Sequence, residues 1–385
     1  MSVRLYIILS GVVLIQQFGL TRPICAQDFD GITVRGHVFE SADEAPLMGV
    51  NVFLAGSTLG SSTDREGTFS FTVPSGRQSY EITASMIGFE IQSVVRSSQD
   101  LESSELSFYL SEKMYRLDEV TVSASNTEWL DNLRRFERLV FSTSENAKQC
   151  KIESPELLSI AFNASTGELT ASSNEPFNFR NEALGYAVSL HGPKIYGSKT
   201  QFRWEGSLLF RTLDPKDAAQ LKRWETNRER VHSGSIRHFL SAVATGETNK
   251  QGFFVSTTER TGFIIKHRVA PDAEEFLSVE VENSTIPTWR LRFSKVLAVS
   301  FQKEGESRAY RNYQDEEGLR RRDESEKSLG RLLQRATQNS WLRLNGEYVV
   351  IDRFGNEYGT YALERSGYWE WERLCELLPS EYEPG

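Results

Sequence analysis

Six short segments between residues 31 and 112 repeat one pattern, apolar and polar side chains in alternation, and that pattern limits what this chain can fold into. In "ITVRGHVF" Ile32, Val34, Gly36 and Val38 share a side, and in "GVNVFLAG" Val50, Val52 and Leu54 do. "TFSFTV" aligns Phe69, Phe71 and Val73, and "YEITASMIGF" aligns Tyr80, Ile82, Ala84 and Met86; "EIQSVVR" and "ELSFYL" follow. A strand sends successive side chains to opposite faces, whereas a helix returns every third or fourth residue to one face. Turn residues separate the segments at Asp43 to Pro46, Asp64 to Gly67 and Pro74 to Gly76. Short half-buried strands with regular turns predict a two-sheet β-sandwich. Within it "DREGTFSFTVP", residues 64–74, reads as a hairpin whose Gly67 supplies a positive φ.

The first 26 residues read as a signal peptide. Arg4 carries the positive charge, and "LYIILSGVVLIQQFGL" is an apolar core too short and too interrupted by Gln for a membrane span. Ile24-Cys25-Ala26 offers a peptidase site before Gln27. Two other readings stay open: an uncleaved anchor, and lipid attachment at Cys25, although Pro23-Ile24 fits a lipobox poorly. Export places the chain in the periplasm, in association with the outer membrane, or at the cell surface. The formal net charge of −9 argues against a nucleic-acid partner, which requires a basic surface. Cys150 and Cys375 remain after export. Two cysteines cannot complete a zinc site; they either form one disulfide across a very long loop or stay as two buried thiols.

The motifs "VRGHVFESADEAPLMGVNVFLAGSTLGSSTDREGTFSFTVP" and "EITASMIGFE" resemble the carboxypeptidase-regulatory-like, transthyretin-type sandwich of exported Bacteroidota proteins. The strand-opening G-x-V, the "APL-GVNV" edge, the T-D-x-x-G-x-F turn and the final S-x-x-G-F carry the likeness over residues 31–112. "LDEVTVSAS", residues 117–125, is similar to the segment joining this sandwich to the plug of TonB-dependent receptors. The remainder is too short for a plug and transporter barrel, so 113–126 reads as a linker.

Residues 127–380 read as a larger strand-rich domain with a few short helices, making the whole mostly β and α+β overall. A capping box at Ser125 to Glu128 opens a helix with Trp129, Leu133, Phe136 and Val140 at helical spacing. "LLSIAFN" and "GELTASS" flank a turn at Gly167, Asp214-Pro215 starts a second helix, and Ile236, Phe239, Leu240 and Val243 mark a third ending before Gly246. Residues 303–337 are densely charged and read as an exposed insertion. A hairpin around Asp352–Gly355 and a short helix close the chain. This region resembles the uncharacterised segment that follows the sandwich in many Bacteroidota proteins, which implies an architecture and a compartment and no activity.

The chemistry-bearing candidates are few. "HVFE" has the H-x-x-E form of a zinc peptidase pair, with His191 as a conceivable third ligand, but alternation sends His37 and Glu40 to opposite faces of a strand. "LKRWETNRERVHSGSIRH" gathers Arg223, Arg228, Arg230 and Arg237 near His238. On its helix His238 lies opposite the apolar face, where it is solvated or lines a cleft with Arg237 and Arg228. The arginines can bind an anionic group or balance Glu225 and Glu229 on a helix surface. Tyr368, Trp369 and Trp371 suit either sugar stacking or core packing. No G-x-S-x-G, G-x-x-x-x-G-K, G-x-G-x-x-G or C-x-x-C occurs, so no cofactor, metal or catalytic set is expected. The reading is a non-catalytic exported envelope accessory or binding protein. Two alternatives stand beside it: a hydrolase with a site near His238, Arg237 and Arg228, and a glycan- or peptide-binding component. The expected partner is an envelope protein or a glycan or peptide ligand, with outer-membrane association.

Overall fold

The computed structural model describes residues 31–113, 126–198, 201–261, 264–269, 278–283, 287–294, 296–316, 337–359 and 361–385. The leader 1–26, linker residues 114–125 with the cap Ser125, and 317–336 of the charged stretch lie outside the described residues.

The chain opens with β1 (Gly31–Glu40), β2 (Asn51–Leu54), β3 (Gly60–Ser62), β4 (Thr68–Pro74), β5 (Tyr80–Ser85), β6 (Gln92–Arg96), helix α1 (Ser98–Ser103) and β7 (Leu106–Leu110). They form two sheets, ordered β4-β1-β7 and β3-β2-β5-β6. The apolar rows face each other: Ile32, Val34 and Val38 of β1, Val52 and Leu54 of β2, Phe69 and Val73 of β4, Ile82 and Ala84 of β5 and Phe108 of β7 share one core. The turn at residues 64–67 is no hairpin. β3 pairs with β2 and β4 pairs with β1, so Asp64 to Gly67 form the corner at which the chain passes from one sheet to the other. Asp64 holds that corner by accepting from the Glu66 and Thr68 amides at 3.1 and 2.8 Å. Gly67 has φ +71°, and a Cβ there would fall 2.6 Å from the Val38 carbonyl oxygen.

The polar row of β5 points away from that core, and beyond the exposed Glu81 it is nevertheless buried. Thr83 and Ser85 are buried at its outer face, beside Phe53 of β2. What covers them belongs to the second half of the chain. Helix α2 (Asn126–Phe141) precedes β8 (Cys150–Glu153), β9 (Ser159–Asn163), β10 (Glu168–Ser172), β11 (Phe177–Asn181), β12 (Tyr186–Ser198) and β13 (Gln201–Thr212), which form one sheet. The long β12–β13 hairpin breaks register between His191 and Lys194. At that bulge His191 Nδ1 lies 2.8 Å from Ser85 Oγ and its ring 4.9 Å from Phe53. Thr83 Oγ1 donates to Ser207 Oγ at 3.0 Å, and Ser207 Oγ donates to Glu81. The Gly56 amide donates to the Leu208 carbonyl at 2.7 Å, and the Phe210 amide to the Ser57 carbonyl at 2.9 Å. The sandwich is therefore bonded to its neighbour through backbone as well as side chains.

Phe136, Val140 and Phe141 of α2 pack on Phe177 and Phe179 of β11 and on Val188 and Leu190 of β12. Helix α3 (Ala218–His232) begins later than Asp214-Pro215 suggests. Its cap is Asp217, which accepts from the Gln220 amide at 2.7 Å. Helix α4 (Ile236–Ala244) follows, capped by Ser235. Then come β14 (Phe253–Thr261), β15 (Ile264–Val269), β16 (Ser278–Asn283), β17 (Thr288–Arg292), β18 (Val296–Phe301), helix α5 (Arg308–Glu316), β19 (Gln338–Leu344), β20 (Val349–Asp352), β21 (Glu357–Tyr358), β22 (Leu363–Gly367) and helix α6 (Tyr368–Trp371). Two sheets result, β15-β14-β18-β19-β22 and β16-β17-β20-β21, sharing a core with Phe239 and Leu240 of α4.

One expectation changes here. Residues 303–337 do not begin as an exposed insertion: α5 forms inside that stretch and buries Tyr310 against Tyr368 and Trp371, at centroid distances of 4.9 and 5.4 Å. Its apolar stripe is one or two residues wide, which the surrounding charge obscures. The terminal aromatics are core, since Tyr368, Trp369 and Trp371 are all buried and Trp369 Nε1 donates to the Gly234 carbonyl at 2.8 Å. Cys150 and Cys375 are disulfide-bonded, their Cα atoms 6.5 Å apart across a sequence separation of 225.

Beside Tyr368 and Trp371 a small pocket of about 110 Å³ is lined by the exposed Glu145 and by three less exposed carboxylates, Glu304, Glu372 and Glu376. Burial pushes all three upward, Glu372 well above the usual carboxylate range with Glu376 and Glu304 adding repulsion. The folded chain thus holds protons that the unfolded chain has released, so stability falls as pH rises from the ordinary glutamate value of 4.5 through the folded value. Glu372→Gln is expected to gain thermal stability over the wild type at about pH 8, with the gap closing toward about pH 4.5. Melting curves of both proteins across that range check it, and a gap that is constant with pH would refute it.

Candidate functional site

Of the residues singled out around His238, only Arg237 joins it in the cleft at the joint of α3 and α4. The turn between the helices carries Gly234, and the α4 cap Ser235 accepts from the His238 amide at 3.2 Å. This turn folds the two helix ends together and sets His232, the last residue of α3, beside His238 with ring centroids 5.1 Å apart. They open on a cleft of about 690 Å³ bounded by Arg237, Lys303, Arg353 and Tyr382.

His238 is not a solvated residue on the back of its helix. Its ring stands edge-on to Phe253 at 4.9 Å and to Phe301 at 5.9 Å, both from the sheet behind it. Nδ1 accepts from the Gly234 amide at 3.1 Å, so the ring proton sits on Nε2, which donates to Gln251 Oε1 at 3.3 Å. Gln251 Nε2 in turn donates to Glu247 Oε2 at 3.1 Å. With Nδ1 occupied by a backbone donor and Nε2 acting as a donor, the neutral ring offers no lone pair for general-base chemistry. Burial lowers its pKa, keeping it neutral. His238→Asn is expected to lose about 1–2 kcal/mol of stability through the lost hydrogen bonds and ring packing, read from urea midpoints.

Arg237 is turned away from ligand binding by the chain itself. Nη1 donates to the Pro379 carbonyl at 2.6 Å and Nη2 to the Tyr382 carbonyl. Burial holds its pKa down to about 10, partly offset by Glu381. Its own carbonyl oxygen abuts Gly355, where a Cβ would come within 1.9 Å, and Gly355 has φ +77°. Arg228 does not line the cleft. Its Nε donates to the Leu184 carbonyl at 2.8 Å and its guanidinium lies 4.2 Å above the Tyr186 ring. Arg223 is exposed on α3, and Arg230 reaches Asn146 Oδ1 at 3.2 Å.

His232 escaped the sequence reading. Burial first, then Arg237 and His238, hold its pKa down to about 3. Its signal was the spacing in "HSGSIRH", where a Gly-Ser turn between two histidines folds them onto one side. Burial likewise holds His191 down to about 4, with Arg211 adding to it. Both histidines resist protonation that the unfolded chain accepts below 6.5, so their share of stability is complete above 6.5 and is lost as pH falls toward 4 and 3.

The H-x-x-E residues stay apart. His37 stacks on Phe39 on the outward face of β1 and lies 3.9 Å from Glu105, while Glu40 has the parity of the inward row. His191 belongs to the joint between the sandwich and β12. Among the described residues no group of three or more His, Cys, Asp or Glu could hold a metal ion, and no helix is long and apolar enough to cross a membrane.

A family model for the CarboxypepD_reg-like domain matches residues 34–122. The match covers the sandwich and the start of the segment after it, so the chain carries this domain at its N-terminal end. No curated protein matches the chain.

Proposed function

We propose that the protein is a non-catalytic accessory protein of the Bacteroidota envelope, exported by its leader, in which the sandwich braces a larger binding domain. One observation carries this reading: the titratable groups best placed for chemistry are engaged by the fold. His238 is held by Gly234 and Gln251, Arg237 by the carbonyls of Pro379 and Tyr382, and Arg228 by Leu184. A hydrolase with His238 as its base would require the Nδ1 lone pair that the Gly234 amide occupies. The sandwich contributes its core to its own stability and its polar β5 row to the joint, which suits a brace. Its outward face keeps Tyr109 46% exposed and stacked on Phe39 at 5.5 Å, the kind of aromatic surface on which partners dock.

The test places a photo-crosslinking amino acid at position 109 in the native host. A discrete envelope partner, captured at this position and absent from the same substitution at the domain joint (position 83), supports the reading. Smears identical at both positions, or turnover by the purified protein of ester or peptide substrates that His238→Asn abolishes, would remove it.

A further inference from the structure

We propose that a second cleft, between the far end of the β12–β13 hairpin and the β22–α6 corner, binds a neutral oligosaccharide. The cleft has a volume of about 470 Å³, within the range of small-ligand sites. Phe202 and Trp204 stand on one face of β13, and Tyr361, 42% exposed, closes the opposite side with its hydroxyl donating to the Trp204 carbonyl at 2.9 Å. The floor is a chain of alternating charge. Glu357 pairs with Arg365, Arg365 feels the field of Glu370, and Glu370 pairs with Arg373 at 2.9 Å. Arg373 is 5% exposed, with its guanidinium 4.7 Å above the Phe202 ring.

The ends of that chain define the ligand. Among the described residues, the buried Arg373 Nη1, Glu357 Oε2 and Glu370 Oε1 have no hydrogen-bond partner, although all three residues line the cleft. Buried polar atoms are seldom left unbonded, and charged ones least of all. Arg373 needs an acceptor, and Glu357 and Glu370 each need a donor. An anion is repelled by Glu357 and Glu370, and a cation by Arg365 and Arg373. A hydroxyl both donates and accepts, so a neutral polyol satisfies both ends. The aromatic walls require that the same molecule also have apolar faces, which a pyranose ring presents through its C–H groups. These atoms are buried, so a ligand reaches them only when side chains at the floor move. The proposal stands apart from the envelope-partner reading, since a chain that binds sugar and crosslinks to no partner keeps the one and loses the other.

Calorimetric titration of the full chain with neutral hexasaccharides of α-glucan, β-glucan, mannan and xylan, together with tryptophan fluorescence, decides it. At least one probe is expected to bind with a Kd below about 1 mM. Tyr361→Ala, at an exposed position, is expected to weaken that binding about threefold to tenfold, and Tyr361→Phe, which loses only the bond to the Trp204 carbonyl, to weaken it less. Trp204→Ala is expected to weaken it further and to remove the fluorescence change. Heat from none of the hexasaccharides overturns the proposal. So does binding that survives both alanine substitutions, or binding of trilysine or triglutamate tighter than that of every hexasaccharide.

Discussion

Reduction of the Cys150–Cys375 bridge is expected to lower the unfolding free energy by about 4–5 kcal/mol, the largest single effect in the molecule. The bond joins residues separated by 225 positions, and the entropy that a crosslink removes from the unfolded chain grows with the logarithm of that loop. The native surroundings favour the bond as well. Cys375 is fully buried in the core under the β8–β13 sheet, and Asn181 Nδ2 donates to its carbonyl at 2.9 Å. Cys150 begins β8, whose register with β11 sets Cys150 opposite Asn181 itself. The bridge therefore fastens the first strand of the larger domain to the segment that follows α6. Urea curves of the oxidised protein and of the same protein held reduced will measure the difference, with thiol labelling of the denatured chain as control. Coincident midpoints, or two labelled thiols per chain without reductant, would contradict the expectation.

How much of this was legible in the sequence depends on whether the determining contacts are local. The strands of the sandwich were, because alternation is a property of each segment alone, and Ile32, Val34 and Val38 or Ile82 and Ala84 reach the core they indicate. The corner at Asp64 to Gly67 was misread for a nonlocal reason. Its turn residues are those of a hairpin, yet β4 finds β1 and β3 finds β2, and no local signal names a strand's partner. The start of α3 was read at Asp214-Pro215, one turn early, and Asp217 caps it by accepting from the Gln220 amide. α5 was hidden because its one buried side chain, Tyr310, depends on Tyr368 and Trp371 far along the chain.

The same distinction governs the site. The place of His238 beside Arg237 in one cleft could be read from their adjacency in sequence, whereas the arginines of α3 lie elsewhere. That Arg237 is closed off by Pro379 and Tyr382, that His238 packs on Phe253 and Phe301, and that the polar row of β5 is buried against Ser207 and His191 could not. Each is an encounter between elements separated by many residues. The sugar-binding cleft is of the same kind, with Trp204 from one hairpin and Arg373 from beyond α6.

Arg237→Met is expected to cost about 3 kcal/mol and to loosen the joint between the sandwich and the larger domain. The substitution keeps most of the volume and removes every donor. It leaves the carbonyls of Pro379 and Tyr382 without the charged partner they share, and such bonds contribute about 1.5–3 kcal/mol each. The segment it holds is also the sandwich's strap. The Ser380 amide donates to the Gly56 carbonyl at 2.8 Å, Arg77 Nη1 donates to Ser380 Oγ at 3.0 Å, and Glu381 accepts from the Thr58 amide at 2.7 Å. Releasing the strap removes these contacts together, while the sandwich core, built from its own strands, is untouched. Hydrogen exchange separates the two regions. In Arg237→Met the amides of Thr58 and Ser380 are expected to lose protection relative to the wild type. Those of Val34 and Val52, inside the sandwich, are expected to keep theirs until global unfolding. Uniform loss across all four amides would mean that the substitution destabilises the whole fold without loosening the joint first, and no change at Thr58 and Ser380 would mean that Arg237 does not hold the strap.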